Sequence, residues 1–386
     1  MVKLYLTVLQ YHHMKRKGVV LVTGGAGFIG SFLVDHLIGQ GRSVRIFDNL
    51  EAQVHRGKKP RYLHPKAEFI KGDVRDYEHF AKALENVDVV YHLAARVGVG
   101  QSNYEIKHYT DVNIGGTANL LDIVVNKGTS VKKIILAASM SSYGEGMYRC
   151  PQCGIIQPPL RHVVRAGRKQ WDVYCPTCGN TLAPVPTTEE AKLTNNSIYS
   201  LTKSFQEQMV MHVGNMYQLP VVSLRFFNVY GPRQSLSNPY TGVAAIFVSR
   251  LKHNKPPIIY EDGKQTRDFV SVHDVVRALV SAAESQAANF ESMNIGSGKA
   301  TTIMQIAQTL AALLGKTIQP TISQKFRKND VKHCFADIAK AKRLLRWAPT
   351  VSLEQGLREL IDWSTKEAAE DLFEKAEHEL KAKSLL

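Results

Sequence analysis

The chain has 386 residues, a formal net charge of +15 at pH 7, and a composition that is 44% hydrophobic and 22% charged. This length allows a large buried core in one or two domains. No apolar stretch is long enough to span a bilayer, so we expect a cytoplasmic protein without a membrane partner. The positive charge suits an anionic partner such as a nucleotide or a nucleic acid. Lys and Arg are scattered along the chain, however, and a basic surface without a specific role would explain them as well.

Residues 1–17 do not fit a targeting signal. The apolar run from Leu4 to Leu9 is too short for the core of a signal peptide, and the basic residues Lys15 to Lys17 follow it instead of preceding it. Met14 leads directly into the first predicted strand and could serve as the start of the chain. We therefore expect residues 1–17 to be a dispensable extension.

The first predicted strand leads into a glycine-rich turn. Val19 to Thr23 is a continuous apolar, β-branched run, which is typical of a buried parallel strand. Gly24, Gly27 and Gly30 follow with the spacing GxxGxxG, which lets the backbone at a helix N-terminus approach a pyrophosphate. Apolar residues at helical spacing continue the unit from Phe28 to Leu37. The segment therefore predicts a strand, turn and helix that bind a dinucleotide.

The second predicted strand, Ser43 to Phe47, ends at Asp48, about twenty residues after the glycines. A carboxylate at this place accepts a hydrogen bond from the adenosine ribose 2′-OH and repels a 2′-phosphate. Asp48 therefore predicts that NAD is the cofactor and that it is preferred over NADP.

Strand-like and helix-like segments alternate through the first half of the chain. This alternation predicts an α/β fold with a Rossmann-type, doubly wound parallel sheet, in which ligands bind at the carboxyl ends of the strands. Asp48, Asp73, Leu93 to Ala95 and Ser139 all follow predicted strands. We expect these residues to line one shared crevice.

After Gly231 the predicted strands and helices become shorter and are separated by prolines. We assign residues 18–231 to the NAD-binding Rossmann domain and residues 232–365 mainly to a smaller C-terminal lobe that binds the substrate. A part near 266–285 is expected to return to the Rossmann domain. Residues 366–386 read as a charged helix, which we expect to be solvated and without a site.

Three residues in the middle of the chain predict hydride chemistry on a hydroxyl-bearing substrate. Ser139 ends a strand-like run, and Tyr199 and Lys203 are four residues apart, which places them on one face of a helix. A neighbouring ammonium favours the phenolate and makes a tyrosine a usable base at neutral pH. Such a pair alone is a weak signal, but here it follows a dinucleotide fingerprint in the right order.

The whole series of motifs resembles the extended short-chain dehydrogenase/reductases that act on nucleotide sugars, most closely the UDP-glucose 4-epimerase-like group. The resemblance extends from Gly18 to about Trp363. The matching segments are Thr23–Gly30, Asp48–Leu50, Gly72–Val74, Leu93–Ala95, Asn113, Gly116–Thr117, Ser139, Tyr143–Gly144, Tyr199, Lys203, Arg225–Gln234, Gln265–Val270 and Asn294–Gly298.

The resemblance implies a role for each matching residue. Tyr199 would be the base, Lys203 would hold the nicotinamide ribose, and Ser139 would bind the reacting oxygen. The cofactor would be bound by Gly24, Gly27, Phe28, Ile29, Gly30, Asp48, Asn49, Asp73, Val74, Leu93, Ala94, Ala95 and Asn113, together with Tyr199 and Lys203. The substrate would be bound by Ser141, Asn228, Arg267, Arg327 and Asp330, and the two guanidinium groups suit its phosphates. The family also implies a homodimer built partly from the helix that carries Tyr199.

The residues just after Ser139 separate the reactions of this family. The 4,6-dehydratases carry an Asp-Glu pair there, because the loss of water needs an additional acid and base, and sugar-acid decarboxylases carry a Glu. The run from Ser139 to Tyr143 contains no carboxylate. This favours epimerisation through transient oxidation to a ketone. The alternatives are a nucleotide-sugar dehydratase or reductase of the same family, or a catalytically idle NAD(H)-binding regulator.

An insertion at residues 149–185 carries four cysteines in two CPxCG pairs. Cys150 and Cys153, then Cys175 and Cys178, have the spacing of a zinc ribbon, so we predict one structural zinc ion bound by all four. Two disulfides are a poorer fit in a cytoplasmic enzyme. Cys334 stands alone and reads as a buried or inert thiol.

Ribbons of this kind resemble a subgroup of dTDP-L-rhamnose 4-epimerases, which points to a deoxythymidine-linked 6-deoxysugar. The ribbon is also basic, and a nucleic-acid-binding ribbon is the alternative to a lid over an anionic substrate. Basic and aromatic residues between the cysteine pairs include Arg161, Arg165, Arg168, Lys169 and Trp171.

Overall fold

The computed structural model describes residues 18–161 and 169–386, so the extension 1–17 and the basic residues Arg165 and Arg168 lie outside the described residues. Seven parallel strands form the large sheet. From one edge to the other they are Glu291–Ile295, Val221–Phe226, Lys133–Ser139, Val87–His92, Val19–Thr23, Val44–Asp48 and Glu68–Lys71. The predicted α/β fold with a Rossmann-type sheet is confirmed.

Each face of the sheet is covered by a hydrophobic core and a layer of helices. The neighbouring residues Val20 and Leu21 belong to opposite cores, as the two-residue period of a strand requires. Helices Phe28–Gly39 and Val272–Glu284 cover one face, and helix Ile198–Tyr217 lies on the other. Since both faces are covered, the edge formed by the carboxyl ends of the strands is where a ligand can approach the sheet.

None of the helices in the described part of the chain is long and apolar enough to cross a membrane. Short 3₁₀ and π segments occur at Met140–Tyr143 and Thr110–Gly115. The α-helices are Phe28–Gly39, Ala52–His55, Tyr77–Ala83, Val99–Ser102, Ile106–Tyr109, Gly116–Asn126, Ile198–Tyr217, Val243–Lys252, Val272–Glu284, Ile303–Leu313, Ala339–Leu345, Leu353–Ser364 and Phe373–Ala382.

The second half of the chain divides between the sheet and a smaller lobe. Helix Val272–Glu284 packs on helix Phe28–Gly39, and strand Glu291–Ile295 completes the sheet at its edge. The chain thus returns to the sheet over a longer stretch than the expected 266–285. The lobe has its own core, to which helices Val243–Lys252 and Ile303–Leu313 contribute. Its short strands are Asn228–Tyr230 with Phe269–Ser271, Ile258–Ile259 with Thr321–Ile322, and Thr266–Arg267 between Thr301–Thr302 and His333–Cys334.

The cysteine-bearing insertion folds as a small antiparallel sheet. Strand Met147–Cys150 pairs with Gly154–Ile156 on one side and with Ala183–Val185 on the other. Buried Tyr148 and Leu182 pack beside the cysteines in a core of few residues. So small a core needs support beyond apolar burial.

The expectation of a solvated C-terminal helix is wrong. Helix Phe373–Ala382 buries Ala376 and Leu380, and the Glu379 carboxylate accepts hydrogen bonds from the hydroxyl groups of Tyr104 and Tyr240. Several charged residues of this segment are exposed, among them Glu374 and Lys375, whereas Glu377 and Glu379 make contacts within the protein. The helix is therefore packed against both the Rossmann domain and the lobe.

A buried ion pair joins the Tyr199 helix to the sheet, and its loss should destabilise the fold. Arg225 Nε lies 3.1 and 3.0 Å from the two carboxylate oxygens of Glu207, and both side chains are less than a tenth exposed. We expect Arg225→Met to lower the free energy of unfolding by about 3–5 kcal/mol, because it strands a buried carboxylate. Urea unfolding followed by tryptophan fluorescence measures this loss.

The control for this change is Arg358→Met, which removes an exposed pair with Glu354 on a helix surface. Such pairs contribute only about 0.3–0.5 kcal/mol. Equal losses in the two variants would contradict the importance of the buried pair.

Candidate active site

A cavity of about 620 Å³ opens at the carboxyl edge of the large sheet, between the sheet and the smaller lobe. It brings together every predicted cofactor, catalytic and substrate residue except Asn113. The predicted residues that line it are Gly24, Gly27, Phe28, Ile29, Gly30, Asp48, Asn49, Asp73, Val74, Leu93, Ala94, Ala95, Ser139, Ser141, Tyr199, Lys203, Asn228, Arg267, Arg327 and Asp330.

The glycine turn lies where the backbone has no room for side chains. Gly24 has φ of +69°, and a Cβ atom there would lie 2.8 Å from the backbone nitrogen of Ala94. A Cβ atom on Gly30 would lie 2.3 Å from the carbonyl oxygen of Gly24. The following helix begins at Phe28, and its N-cap residue Gly27 provides no side-chain cap. The first backbone N–H groups of this helix are thus available to an anion such as a pyrophosphate.

The Asp48 carboxylate is held firmly at the end of its strand. One oxygen accepts from the backbone N–H of Ala26 at 3.0 Å, and the other accepts from that of Leu50 at 2.8 Å. Burial raises the pKa of Asp48, although both N–H groups oppose this shift. The carboxylate therefore forms a fixed, polar part of the cavity wall beside the glycine turn.

A second acidic residue on the wall is strongly ionised. Asp73 accepts hydrogen bonds from Asn49 at 2.9 Å and from Arg75 at 2.8 and 2.9 Å. Burial opposes ionisation of Asp73, but these hydrogen bonds outweigh it and lower its pKa to about 2. Asn49 and Asp73 thus position one another at the ends of neighbouring strands.

Ser139, Tyr199 and Lys203 all line the cavity. The Tyr199 helix begins after Ser197, which forms a capping box with Ser200 and so fixes where the helix starts. Desolvation raises the pKa of Tyr199, and the hydrogen bond with Ser139 only partly opposes this. Burial lowers the pKa of Lys203 to about 7.

Lys203 was expected to lower the pKa of Tyr199, but in this structure the Tyr199 pKa is raised. The Lys203 ammonium donates to the carbonyl oxygen of Ala137 at 2.7 Å and to Gln206 Oε1 at 3.0 Å. Burial disfavours the charged forms of both the phenol and the amine, and this effect dominates.

Behind Lys203 lies a buried chain of hydrogen bonds that the sequence did not reveal. Gln206 donates to Thr117 Oγ1 at 2.6 Å, and the His92 ring lies between Thr117 and Thr23 at 3.0 and 2.9 Å. Burial lowers the pKa of His92 to about 3, so the ring is neutral at physiological pH. The chain supports Lys203 from the side opposite the cavity.

Asn113 does not line the cavity, in contrast to its expected role. Its side-chain oxygen accepts from the backbone N–H of Arg96 at 2.8 Å, while its amide donates to the Arg96 carbonyl oxygen and to Thr202. The side chain is completely buried by these partners. Asn113 therefore holds the loop after Leu93–Ala95 in place and shapes the cavity from behind.

At the lobe end of the cavity, two arginines share one carboxylate. Arg267 Nη2 lies 3.2 Å from one oxygen of Asp330, and Arg327 Nη2 lies 2.9 Å from the other. Burial disfavours ionisation of Asp330, but the nearby guanidinium groups outweigh it and lower its pKa. These three residues, the anion clamp, carry a net positive charge, which favours a phosphate group.

Two further predicted substrate residues contribute polar groups to the cavity wall. The Asn228 side-chain oxygen is buried and has no hydrogen-bond partner among the described residues, so it is available to a ligand donor. Ser141 Oγ lies 2.9 Å from Ser139 Oγ. Both groups face the same cavity as the clamp.

The four ribbon cysteines form a compact cluster outside the cavity. All four sulfur atoms lie within 4.8 Å of one another, and none of the four is in a disulfide. Four thiolates at this spacing are a suitable donor set for a tetrahedral zinc ion. The fifth cysteine, Cys334, is far from these four in the sequence. It is buried, and burial raises its pKa to about 12.

The insertion is joined to the lobe by a buried arginine. Arg161 donates to both carboxylate oxygens of Glu261, at 2.7 and 2.8 Å, and to the carbonyl oxygen of Asp330 at 3.0 Å. It also lies 3.3 Å from Glu145. Its charge is therefore neutralised within the protein, in contrast to the expectation that it faces a substrate or a nucleic acid.

The C-terminal helix supplies cavity residues that the sequence reading missed. Phe373, Ala376, Glu377 and Leu380 all line the cavity. Their spacing of three, four and seven residues marks one helix face. The apolar residues Phe373, Ala376 and Leu380 indicate in the sequence that one face of this helix is buried. The many charged residues of the segment obscured this pattern.

Comparison with known proteins agrees with this geometry. The model for the NAD dependent epimerase/dehydratase family matches residues 20–159, and the GDP-mannose 4,6 dehydratase model matches residues 179–360. A dTDP-L-rhamnose 4-epimerase of Burkholderia thailandensis is 37% identical over 356 residues, which cover 90% of this chain and 95% of that protein.

Solved structures give the same result. UDP-glucose 4-epimerase of Thermotoga maritima with UDP-glucose has a TM-score of 0.74 and 33% identity, covering 90% of this chain and 99% of that one. UDP-glucuronic acid 4-epimerase of Bacillus cereus with UDP-glucuronic acid and NAD has a TM-score of 0.73 and 28% identity, with the same coverage. The chain therefore belongs to the NAD-dependent epimerase/dehydratase family of extended short-chain dehydrogenase/reductases.

Proposed function

We propose that this protein is an NAD-dependent epimerase that inverts C4 of a nucleotide-activated sugar through a transient 4-keto intermediate. The substrate we propose is dTDP-L-rhamnose, with dTDP-6-deoxy-L-talose as the product, or a related dTDP- or UDP-sugar. The observation that carries the proposal is one cavity that is lined by the glycine turn, by the anion clamp, and by Ser139 and Tyr199. The 37% identity to a dTDP-L-rhamnose 4-epimerase supports the choice of sugar.

The residues of the cavity fit NAD and the proposed reaction. The glycine turn and Asp48 would hold NAD, and the chemistry that NAD would supply is reversible hydride transfer, which allows oxidation at C4 to the ketone and reduction from the opposite face. Tyr199 would take the proton from the C4 hydroxyl and give it back, while Ser139 would hydrogen-bond the same oxygen. Lys203, one helical turn from Tyr199, would hold the nicotinamide ribose. Asn228 and the clamp would hold the diphosphate of the sugar nucleotide.

Other reactions of the family fit less well. Relatives include sugar-acid decarboxylases, but the first carboxylate after Ser139 is Glu145. That side chain is fully buried, accepts from the Tyr148 hydroxyl and the backbone of Lys332, and does not line the cavity. It is therefore a poor acid or base for dehydration or decarboxylation. A catalytically idle NAD(H)-binding regulator would not need Ser139, Tyr199 and Lys203 together.

We also propose that the four ribbon cysteines bind one structural zinc ion and that the protein is a homodimer. All four zinc positions would be filled by thiolates, which leaves none for a substrate. Leu201 and Phe205 support the dimer, since they lie one turn apart on the Tyr199 helix and are each about half exposed.

Replacement of Tyr199 by Phe tests the chemistry. We expect Tyr199→Phe to lower kcat by about 10²–10⁴-fold, because the change removes only the oxygen that accepts the proton. Turnover is measured on a panel of dTDP- and UDP-sugars, which also identifies the substrate. Tyr217→Phe on the exposed end of the same helix is the control and should keep full activity and NAD content. Near-normal turnover by Tyr199→Phe would refute the assignment.

Cofactor selectivity is tested at Asp48. We expect Asp48→Ala to weaken the preference for NAD over NADP by about tenfold or more, a change of about 1.4 kcal/mol, because it removes the charge that repels a 2′-phosphate. Calorimetric titration of both cofactors measures the ratio of the two dissociation constants. Asp122→Asn, away from the cavity, should leave the ratio unchanged. If Asp48→Ala also leaves this ratio unchanged, the Asp48 carboxylate does not set the preference for NAD over NADP.

The metal proposal is tested by analysis of reduced protein. We expect one zinc ion per chain in the wild type and its loss in Cys150→Ser, because a complete thiolate set is needed for tight binding. The variant should show a higher KM for the sugar nucleotide and an unchanged NAD content. Cys334→Ser should retain zinc. Wild-type protein without zinc would overturn the ribbon proposal, and a zinc-free variant with normal kinetics would separate the ribbon from the reaction.

A further inference from the structure

The C-terminal helix, Phe373–Ala382, begins after both matched family segments end, the later of them at residue 360. Nevertheless, Phe373, Ala376, Glu377 and Leu380 line the same cavity as the catalytic tyrosine and the anion clamp. One face of this helix is thus part of the cavity wall, while Lys375 on the opposite face is exposed.

The helix is fixed to both sides of the cavity. On the Rossmann side, Glu379 accepts a hydrogen bond from the Tyr104 hydroxyl at 3.0 Å. On the lobe side, Arg250 lies 2.9 Å from Glu374 and places its guanidinium carbon 4.6 Å from the centre of the Phe373 ring. These contacts hold the wall residues in defined positions.

The helix also borders the segment that carries the anion clamp. Glu377 accepts from Lys325 at 2.7 Å, and the backbone N–H of Lys328 donates to the carbonyl oxygen of Leu385 at 3.1 Å. Arg327 lies between these two lysines in the chain. The stretch of chain that carries Arg327 is therefore contacted on both sides by the C-terminal segment.

We propose that the C-terminal helix is part of the nucleotide-binding site, and that its apolar stripe Phe373, Ala376 and Leu380 forms a wall for the nucleoside of a nucleoside diphosphate held by Arg267 and Arg327. The inference rests on the proposed nucleotide-sugar substrate. A nucleoside diphosphate has a charged end and a flat, weakly polar end. The clamp suits the first. The stripe suits the second, together with Tyr260, which lines the same cavity and whose ring centre lies 5.7 Å from the guanidinium carbon of Arg327.

Nucleotide binding by stepwise variants tests this assignment without the need for turnover. Dissociation constants for dTDP and UDP are measured by calorimetry on NAD-loaded protein. We expect a chain that ends at Leu372 to bind the better of the two nucleotides about tenfold or more weakly, which is about 1.4 kcal/mol, and to retain its NAD. The double variant Phe373→Ala, Leu380→Ala keeps the helix and should show a smaller weakening in the same direction.

Lys375→Ala on the exposed face is the matched control and should bind as the wild type does. If the truncated chain and the double variant both keep wild-type affinity, the helix is not part of the nucleotide site. If the wild type binds neither dTDP nor UDP, the proposed nucleotide-sugar function fails and the wall assignment fails with it. If the wild type binds a nucleotide but epimerises no sugar, the reaction is wrong, and the affinities of the variants still decide the role of the helix.

Discussion

The constraint on which this structure depends is the geometry of a parallel sheet, in which all strands end at the same edge. Two of the strands end at Asp48 and Ser139, and Asp73 follows shortly after the end of a third. All three residues line the same cavity, because the carboxyl ends of parallel strands lie at one edge of the sheet. The strand order reverses beside the first strand, so the loops on its two sides diverge and leave room for a ligand. The smaller lobe then closes the remaining side with the anion clamp.

Burial is the second determinant of the site. It raises the pKa of Tyr199 and lowers that of Lys203, so the two groups move toward their neutral forms together. The proton balance of the pair is therefore sensitive to any charge or hydrogen bond that a ligand adds in the cavity. The neutral chain through Gln206 and His92 supports the lysine without adding a charge next to it.

The parts of the site that the sequence predicted are those set by local patterns. Strand ends, glycine spacing and the helical pair Tyr199 and Lys203 depend on residues close in the chain, and the structure brings them together. Asn113 was expected to bind the cofactor, but its side chain binds the backbone of Arg96 instead. The motif around Asn113 does not include Arg96, so the sequence did not reveal this contact. The role of the C-terminal helix was missed because it depends on contacts such as Glu379 with Tyr104, which are 275 residues apart.

Arg161 has a consequence for how the cysteine-bearing insertion could be gained, lost or transferred. Its guanidinium lies between Glu145 and Glu261, and Glu261 is completely buried in the body of the protein. A shortened chain or a chimera without Arg161 would leave these carboxylates short of positive charge, which is costly in a protein interior. An engineered loop swap that removes Arg161 therefore affects Glu261 in the lobe as well as Glu145 beside the insertion, and it will need compensating neutral side chains at both glutamates.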